Sequence, residues 1–145
     1  MSPADNGLIL CVDDEPVVLQ ALRDQLLRAY GKQYIIEIAE SAEEGLEILD
    51  ELFQEGLVPL IIISDWLMPG MKGDDFFIEA HKRFPYVIKV MLTGHANEEA
   101  VQRAKKKGDM FDLITKPWEI KDLLHSIDEG LKEYKKRLTG NDNEA

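Results

Sequence analysis

Five short apolar runs punctuate the chain, and each is followed by a stretch with helical period. Leu8-Ile9-Leu10-Cys11-Val12 is continuously apolar, as expected of a strand buried on both faces. Pro16 then suits a first helical turn, and Val18, Leu19, Leu22, Leu26, Ala29 and Tyr30 recur at helical spacing. Gly31 is placed to end that helix. Tyr34 to Ala39 predicts a second strand, and Ser41-Ala42-Glu43-Glu44 has capping-box spacing. The helix it opens carries Leu46, Leu49, Leu52 and Phe53 on its apolar side.

Leu60-Ile61-Ile62-Ile63-Ser64 predicts the third strand, which runs directly into Asp65. Pro69-Gly70 and Gly73 turn the chain into a helix bearing Phe76, Phe77, Ala80 and Phe84, closed by Pro85. Val87 to Leu92 is the fourth predicted strand. Asn97 caps a helix through Ala100, Val101 and Ala104, with Gly108 after it, and Phe111 to Thr115 is the fifth strand. The last helix has Ile120, Leu123, Leu124, Ile127, Leu131, Tyr134 and Leu138 on one stripe.

Strands alternating with helices predict a doubly wound α/β domain with a parallel sheet. Ligand sites in such sheets lie beyond the carboxyl ends of the strands. The 145 residues suit one domain, expected over 8–130, with a flexible N-terminus at 1–7. An extension of the last helix is expected at 131–138 and a frayed polar tail at 139–145.

Composition narrows the function. Seventeen Lys and Arg against 28 Asp and Glu give a net charge of −11, which argues against nonspecific binding to nucleic acid or anionic membrane. The single cysteine, Cys11, excludes an intramolecular disulfide and argues against a Cys-rich zinc site. No apolar run is long enough to span a membrane and no secretory signal is visible, so a cytoplasmic location is expected.

The chemistry collects at the strand ends. Strand one ends at Asp13-Asp14-Glu15, strand three at Asp65, strand four at Thr93-Gly94 and strand five at Lys116-Pro117. The fold would place three carboxylates, a hydroxyl and an ammonium on one rim. Close carboxylates repel and need a counter-charge, and a hard divalent cation such as Mg²⁺ fits oxygen ligands. Asp65 could then attack phosphorus as a carboxylate nucleophile, with the metal, Lys116 and Thr93 stabilising the phosphoryl oxygens.

Four segments in register, Val12 to Pro16, Asp65 to Gly73, Leu92-Thr93-Gly94 and Thr115 to Trp118, make the chain resemble the receiver domain of two-component response regulators. The resemblance covers about residues 8–130. It implies a flavodoxin-like, five-stranded sheet of order 2-1-3-4-5 with five helices. It implies that Asp65 is the phosphoacceptor, and that Asp13 and Asp14 hold Mg²⁺ (or Mn²⁺) together with Asp65 and the Leu67 carbonyl. Thr93 and Lys116 would bind the phosphoryl group, and small Gly94 would leave it accessible. The partner would be a sensor histidine kinase or a phosphotransfer protein. A C-terminal output domain beyond the chain would agree with the family, and so would a stand-alone regulator.

One position departs from the family pattern. Leu113 stands where many receivers carry an aromatic switch residue, and Phe111, of the same strand parity, lies about 6–7 Å further back. Leu67 and His95 occupy positions where receivers tune dephosphorylation, and neither suits orientation of a water, which predicts a long-lived phosphoryl state. A phosphatase of the haloacid-dehalogenase type would need a general acid at Leu67, and a flavodoxin-like carrier would need a phosphate cradle where Asp13-Asp14-Glu15 stands. His81, His95 and His125 lack paired metal spacing. Lys105 to Lys107 suit a solvated helix end. The stripe through Leu131, Tyr134 and Leu138 suggests either a helix folded back on the domain or a homodimer through the last helix.

Overall fold

The computed structural model describes residues 6–144, the side chains of 141–144 excepted. Met1 to Asp5 of the expected flexible N-terminus, and Ala145, lie outside the described residues. The order of elements is β1 (Gly7–Val12), α1 (Pro16–Tyr30), β2 (Ile35–Ala39), α2 (Ala42–Gln54), β3 (Val58–Ser64), α3 (Gly73–Arg83), β4 (Ile88–Thr93), α4 (Glu98–Gly108), β5 (Met110–Thr115) and α5 (Ile120–Glu144). The strands form one sheet of order β2-β1-β3-β4-β5, parallel throughout. This is the doubly wound architecture that the apolar runs predict.

Alternation along the strands divides the interior in two. Leu8, Leu10, Val12, Ile62 and Met91 face α2, α3 and α4, where Leu46, Leu49, Phe76, Phe77 and Ala104 meet them. Ile9, Cys11, Ile61, Ile63, Val90 and Leu92 face α1 and α5, against Leu19, Leu22, Leu26, Leu123 and Ile127. Both faces of the central strands are therefore dry, which accounts for their unbroken apolar runs.

Side-chain caps fix two of the helix starts. Ser41 Oγ accepts from Glu44 N at 3.1 Å, and Glu44 reaches back to the Glu40 amide at 3.2 Å. Asn97 Oδ1 accepts from Ala100 N at 2.7 Å. Gly31 ends α1 as expected, at an ordinary helical φ of −61° and with its N–H on Leu27 O. Gly108 closes α4 from inside, and Asp109 takes the left-handed conformation at φ 55°. Glycine at 108 serves close packing instead, since a Cβ there would lie 2.8 Å from Phe77 Cβ on α3.

Two strands contain irregularities that periodicity does not reveal. β3 starts at Val58 and includes Pro59, and its register against β1 shifts so that Leu8 faces Pro59 while Ile9 faces Ile61. Proline is tolerated at such a bulge. Between β4 and β5, Lys89 pairs with Met110 and Val90 with Asp112, leaving Phe111 as the extra residue. Phe111 consequently packs with the α1–α5 core while Leu113 packs with the α2–α4 core. The shared parity inferred for these two residues is corrected by the bulge.

α5 crosses the sheet very closely. A Cβ at Gly130 would lie 2.9 Å from Ile88 Cγ2 and 3.3 Å from Ile61 Cδ1. Beyond Gly130, Tyr134 is buried, and Leu131 and Leu138 are half-buried against the same core. Arg137 binds Asp109 at 2.9 Å and Glu133 at 3.1 Å, which fastens this part of the helix to the α4–β5 corner. The chain itself thus covers the stripe, as the folded-back alternative requires. The helix continues to Glu144, through residues expected as a polar tail. Among the described residues no helix is long and apolar enough to cross a membrane.

Candidate functional site

The parallel ladder continues one residue past three strands, and this sets the rim. Asp13 N donates to Ala39 O at 3.2 Å, Asp65 N to Val12 O at 3.0 Å, and Lys116 N to Thr93 O at 3.2 Å. Asp13, Asp65 and Lys116 are thereby held at matching heights above the sheet. The Lys116–Pro117 peptide is cis.

Lys116 Nζ lies 2.6 Å from Asp13 Oδ2 and 3.0 Å from Asp65 Oδ2. Asp13 and Asp65 are almost fully buried, whereas Asp14 is exposed beside them. Carboxylate oxygens of all three lie within 4.8 Å of one another. Burial pushes the Asp13 carboxyl above its usual range, against the hydrogen bond from Lys116. Burial also opposes the charge on Lys116, but its bonds to Asp13 and Asp65 outweigh that and move its ammonium upwards. The cation is therefore firmly held, and one ammonium faces three crowded carboxyl groups.

Backbone donors fix the carboxylates further. Asp13 Oδ1 accepts from Glu15 N at 2.9 Å, in the turn that opens α1. Asp65 Oδ1 accepts from Trp66 N at 2.7 Å and Leu67 N at 3.4 Å. The loop after Asp65 is tied down by Gly70, at φ +78°, by a bond from Met71 N to Glu43 Oε2 at 3.1 Å, and by Gly73 N on Trp66 O at 2.9 Å. A side chain at Gly73 would collide with the backbone of Asp65 and Trp66.

Asp14, Asp65, Leu67, Lys72 and His95 line an open cleft of about 380 Å³. A second opening, bounded by Gly94, His95, Lys116 and Trp118, adjoins it. A Cβ at Gly94 would meet nothing nearer than Lys116 at 3.9 Å, so this side of the rim stays open. Thr93 is buried at the end of β4, and its Oγ1 accepts from His95 N at 3.2 Å. Leu113, half-buried at β5, has no polar or aromatic group to offer it.

The structure thus brings Asp13, Asp14, Asp65 and Lys116 into contact range and places Gly94, Leu67 and His95 around the openings, with Thr93 buried next to Gly94 at the end of β4. His81 and His125 lie away from it, His81 being 3.9 Å from Asp109. Cys11 is buried, and its thiol is pushed up to about 12, which makes it inert. Among the described residues the rim trio is the one His/Cys/Asp/Glu group close enough to hold an ion. Sequence reasoning missed Asp74 and Arg103, which join the indole of Trp66 beside the site. The signal was an acidic residue, Asp74, directly after the Gly73 turn where the apolar face of α3 begins.

The response regulator receiver domain profile matches residues 9–128. The transcriptional regulatory protein GlrR of Escherichia coli is 32% identical over 125 residues, covering 86% of this chain and 26% of that protein. A CheY-like receiver domain from Methanospirillum hungatei JF-1 superposes with a TM-score of 0.79 at 32% identity, covering 90% of this chain and 98% of that one. The receiver domain of an HD domain-containing protein from Pseudomonas fluorescens Pf-5 shares the fold, with a TM-score of 0.82 at 22% identity, covering 96% of each chain. The chain spans about a quarter of the length of the curated relatives it matches.

Proposed function

The chain belongs to the response-regulator receiver family of two-component signalling, and from that footing we propose that Asp65 accepts a phosphoryl group from a phosphohistidine. The observation that carries this reading is the Lys116 ammonium seated between Asp13 and Asp65 beneath an open cleft. An Asp65 carboxylate oxygen attacks phosphorus, a P–O bond forms, and the P–N bond breaks with its electron pair leaving on the imidazole. Lys116 pairs with the transferred phosphoryl group, and the Thr93 hydroxyl, at the end of β4, donates to one of its oxygens.

Three crowded carboxylate donors fit a hard divalent cation. Asp13, Asp14, Asp65 and the Leu67 carbonyl would hold Mg²⁺, or Mn²⁺ in its place. When bound, the ion supplies positive charge against the phosphoryl oxygens. The chain promotes only its own phosphorylation and dephosphorylation. Leu67, 42% exposed in the cleft, offers no general acid of the haloacid-dehalogenase kind. Neither Leu67 nor His95 is an acid or amide suited to orienting water, which supports a long-lived phosphoryl state.

The partner is a sensor histidine kinase or a phosphotransfer protein, and the change at Asp65 alters a surface read by another protein or by an output domain. Because α5 folds back over the sheet and covers much of its own stripe, a homodimer through the last helix would have to use what that packing leaves exposed, which light scattering with and without phosphorylation measures. Direct nucleic-acid binding is disfavoured by the charge of −11. A phosphohistidine donor carrying radiolabel tests the reading. Label should pass to the chain in Mg²⁺ and be released by hydroxylamine, as an acyl phosphate requires. Label that resists hydroxylamine would place it on another type of side chain.

A further inference from the structure

An unbroken series of hydrogen bonds leads from Asp65 to the surface of α4. Trp66 N donates to Asp65 Oδ1 at 2.7 Å. The indole Nε1 of the same residue donates to Asp74 Oδ1, at 3.1 Å, in the first turn of α3. Asp74 Oδ2 accepts from Arg103 NH1 on α4 at 2.9 Å, and that nitrogen also bonds Asp75 Oδ1 at 2.5 Å. Asp74 is buried, so its carboxylate depends on both the indole and the guanidinium for compensation. Arg103 is partly exposed and lies on a helix packed closely against α3 at Gly108 and Phe77.

The first bond in this series is sensitive to chemistry at Asp65. A carboxylate accepts a charge-assisted hydrogen bond, roughly twice as strong as a neutral one. Phosphorylation turns the remaining oxygen of Asp65 into a neutral acyl carbonyl, which weakens the hold on Trp66 N. Trp66 then shifts, its indole pulls on Asp74, and the pull passes to Arg103 through their 2.9 Å bond. Leu113 provides no competing polar path from Thr93 through β5.

We propose that Trp66, Asp74 and Arg103 form a relay through which the phosphorylation state of Asp65 reaches helix α4. Asp74 acts in it as a positioning residue for Trp66. The relay rests on the phosphoacceptor reading given above.

Hydrogen exchange over Glu98–Gly108, with and without Mg²⁺ and beryllofluoride as the phosphoryl mimic, tests it on the full chain. Bound beryllofluoride is scored separately by fluorine NMR. The native chain should bind the mimic and change exchange across α4. Asp74→Asn and the more exposed Arg103→Gln should still bind it, while the ligand-dependent change in α4 falls about twofold or more. The double variant should lose no more than the larger single loss, because both substitutions break one series. An α4 response of native size in Arg103→Gln would overturn the relay, as would additive losses in the double variant. Failure of the native chain to bind beryllofluoride would overturn the phosphoacceptor reading, and the relay with it.

Discussion

Lys116 Nζ lies 2.6 Å from Asp13 Oδ2, although the two residues are 103 positions apart and follow strands separated by two others. The side chain of Lys116 crosses the rim above β3 and β4 and bonds Asp65 on its way. It is the cation that makes two buried carboxylates tolerable.

Lys116→Met should therefore leave Asp13 and Asp65 buried without their compensating charge. Losing one partner of a buried pair costs about 3–5 kcal/mol. Urea unfolding should show that loss without divalent ions and a smaller one in saturating Mg²⁺, which would replace the missing positive charge. Equal losses in both conditions would separate the carboxylates from any metal site.

Mg²⁺ should raise the melting temperature of the native chain, by an amount equivalent to about 2.7 kcal/mol at a hundredfold excess over its dissociation constant. Burial raises the Asp13 carboxyl, so its charged form is a net cost to the metal-free protein. Asp13→Asn should stabilise that state and blunt the response to Mg²⁺. Calorimetric scans with and without the ion read both effects.

At Gly130, helix propensity and packing predict opposite signs. Propensity alone favours Gly130→Ala by about 1 kcal/mol. The added methyl would meet Ile88 at 2.9 Å and Ile61 at 3.3 Å inside the core. Overpacking of this kind costs about 1–3 kcal/mol, so the variant should be less stable. A gain in the urea midpoint would show that α5 rides higher on the sheet.

Lys89 has no exposed surface; its ammonium bonds Val87 O at 2.9 Å and lies 3.7 Å from Asp109 Oδ2. Burial lowers it from 10.5 to about 8, with Arg137 adding to the fall and Asp109 resisting it. Between these values the unfolded chain carries the proton more often than the native one, so stability rises with pH across that window. The gain should approach about 2 kcal/mol between pH 8 and about 9.5, and should vanish in Lys89→Met. Unfolding of both proteins across this range measures it.

Much of this architecture was legible because both faces of the central strands are dry, and Leu8–Val12 and Ile61–Ile63 carry that fact in every position. The rim followed from the same logic, since whatever ends a parallel strand must sit at the carboxyl edge. What stayed hidden depends on contacts made at a distance. The bulge at Phe111 arises from β4–β5 pairing and cannot be seen in β5 alone. Gly108 looked like a helix stop because it is a glycine near a helix end, whereas its role is the approach of α3. Asp74 reads as one more polar residue of a first turn until Trp66 and Arg103 are seen on either side of it.

Intact mass spectrometry reads out whether Asp65 is the nucleophile. The native chain, incubated with a small phosphodonor and Mg²⁺, should gain the mass of one phosphoryl group. Asp65→Asn keeps the shape but lacks the carboxylate, and should gain none. Equal labelling of the two proteins under the same conditions would put the nucleophile on another residue.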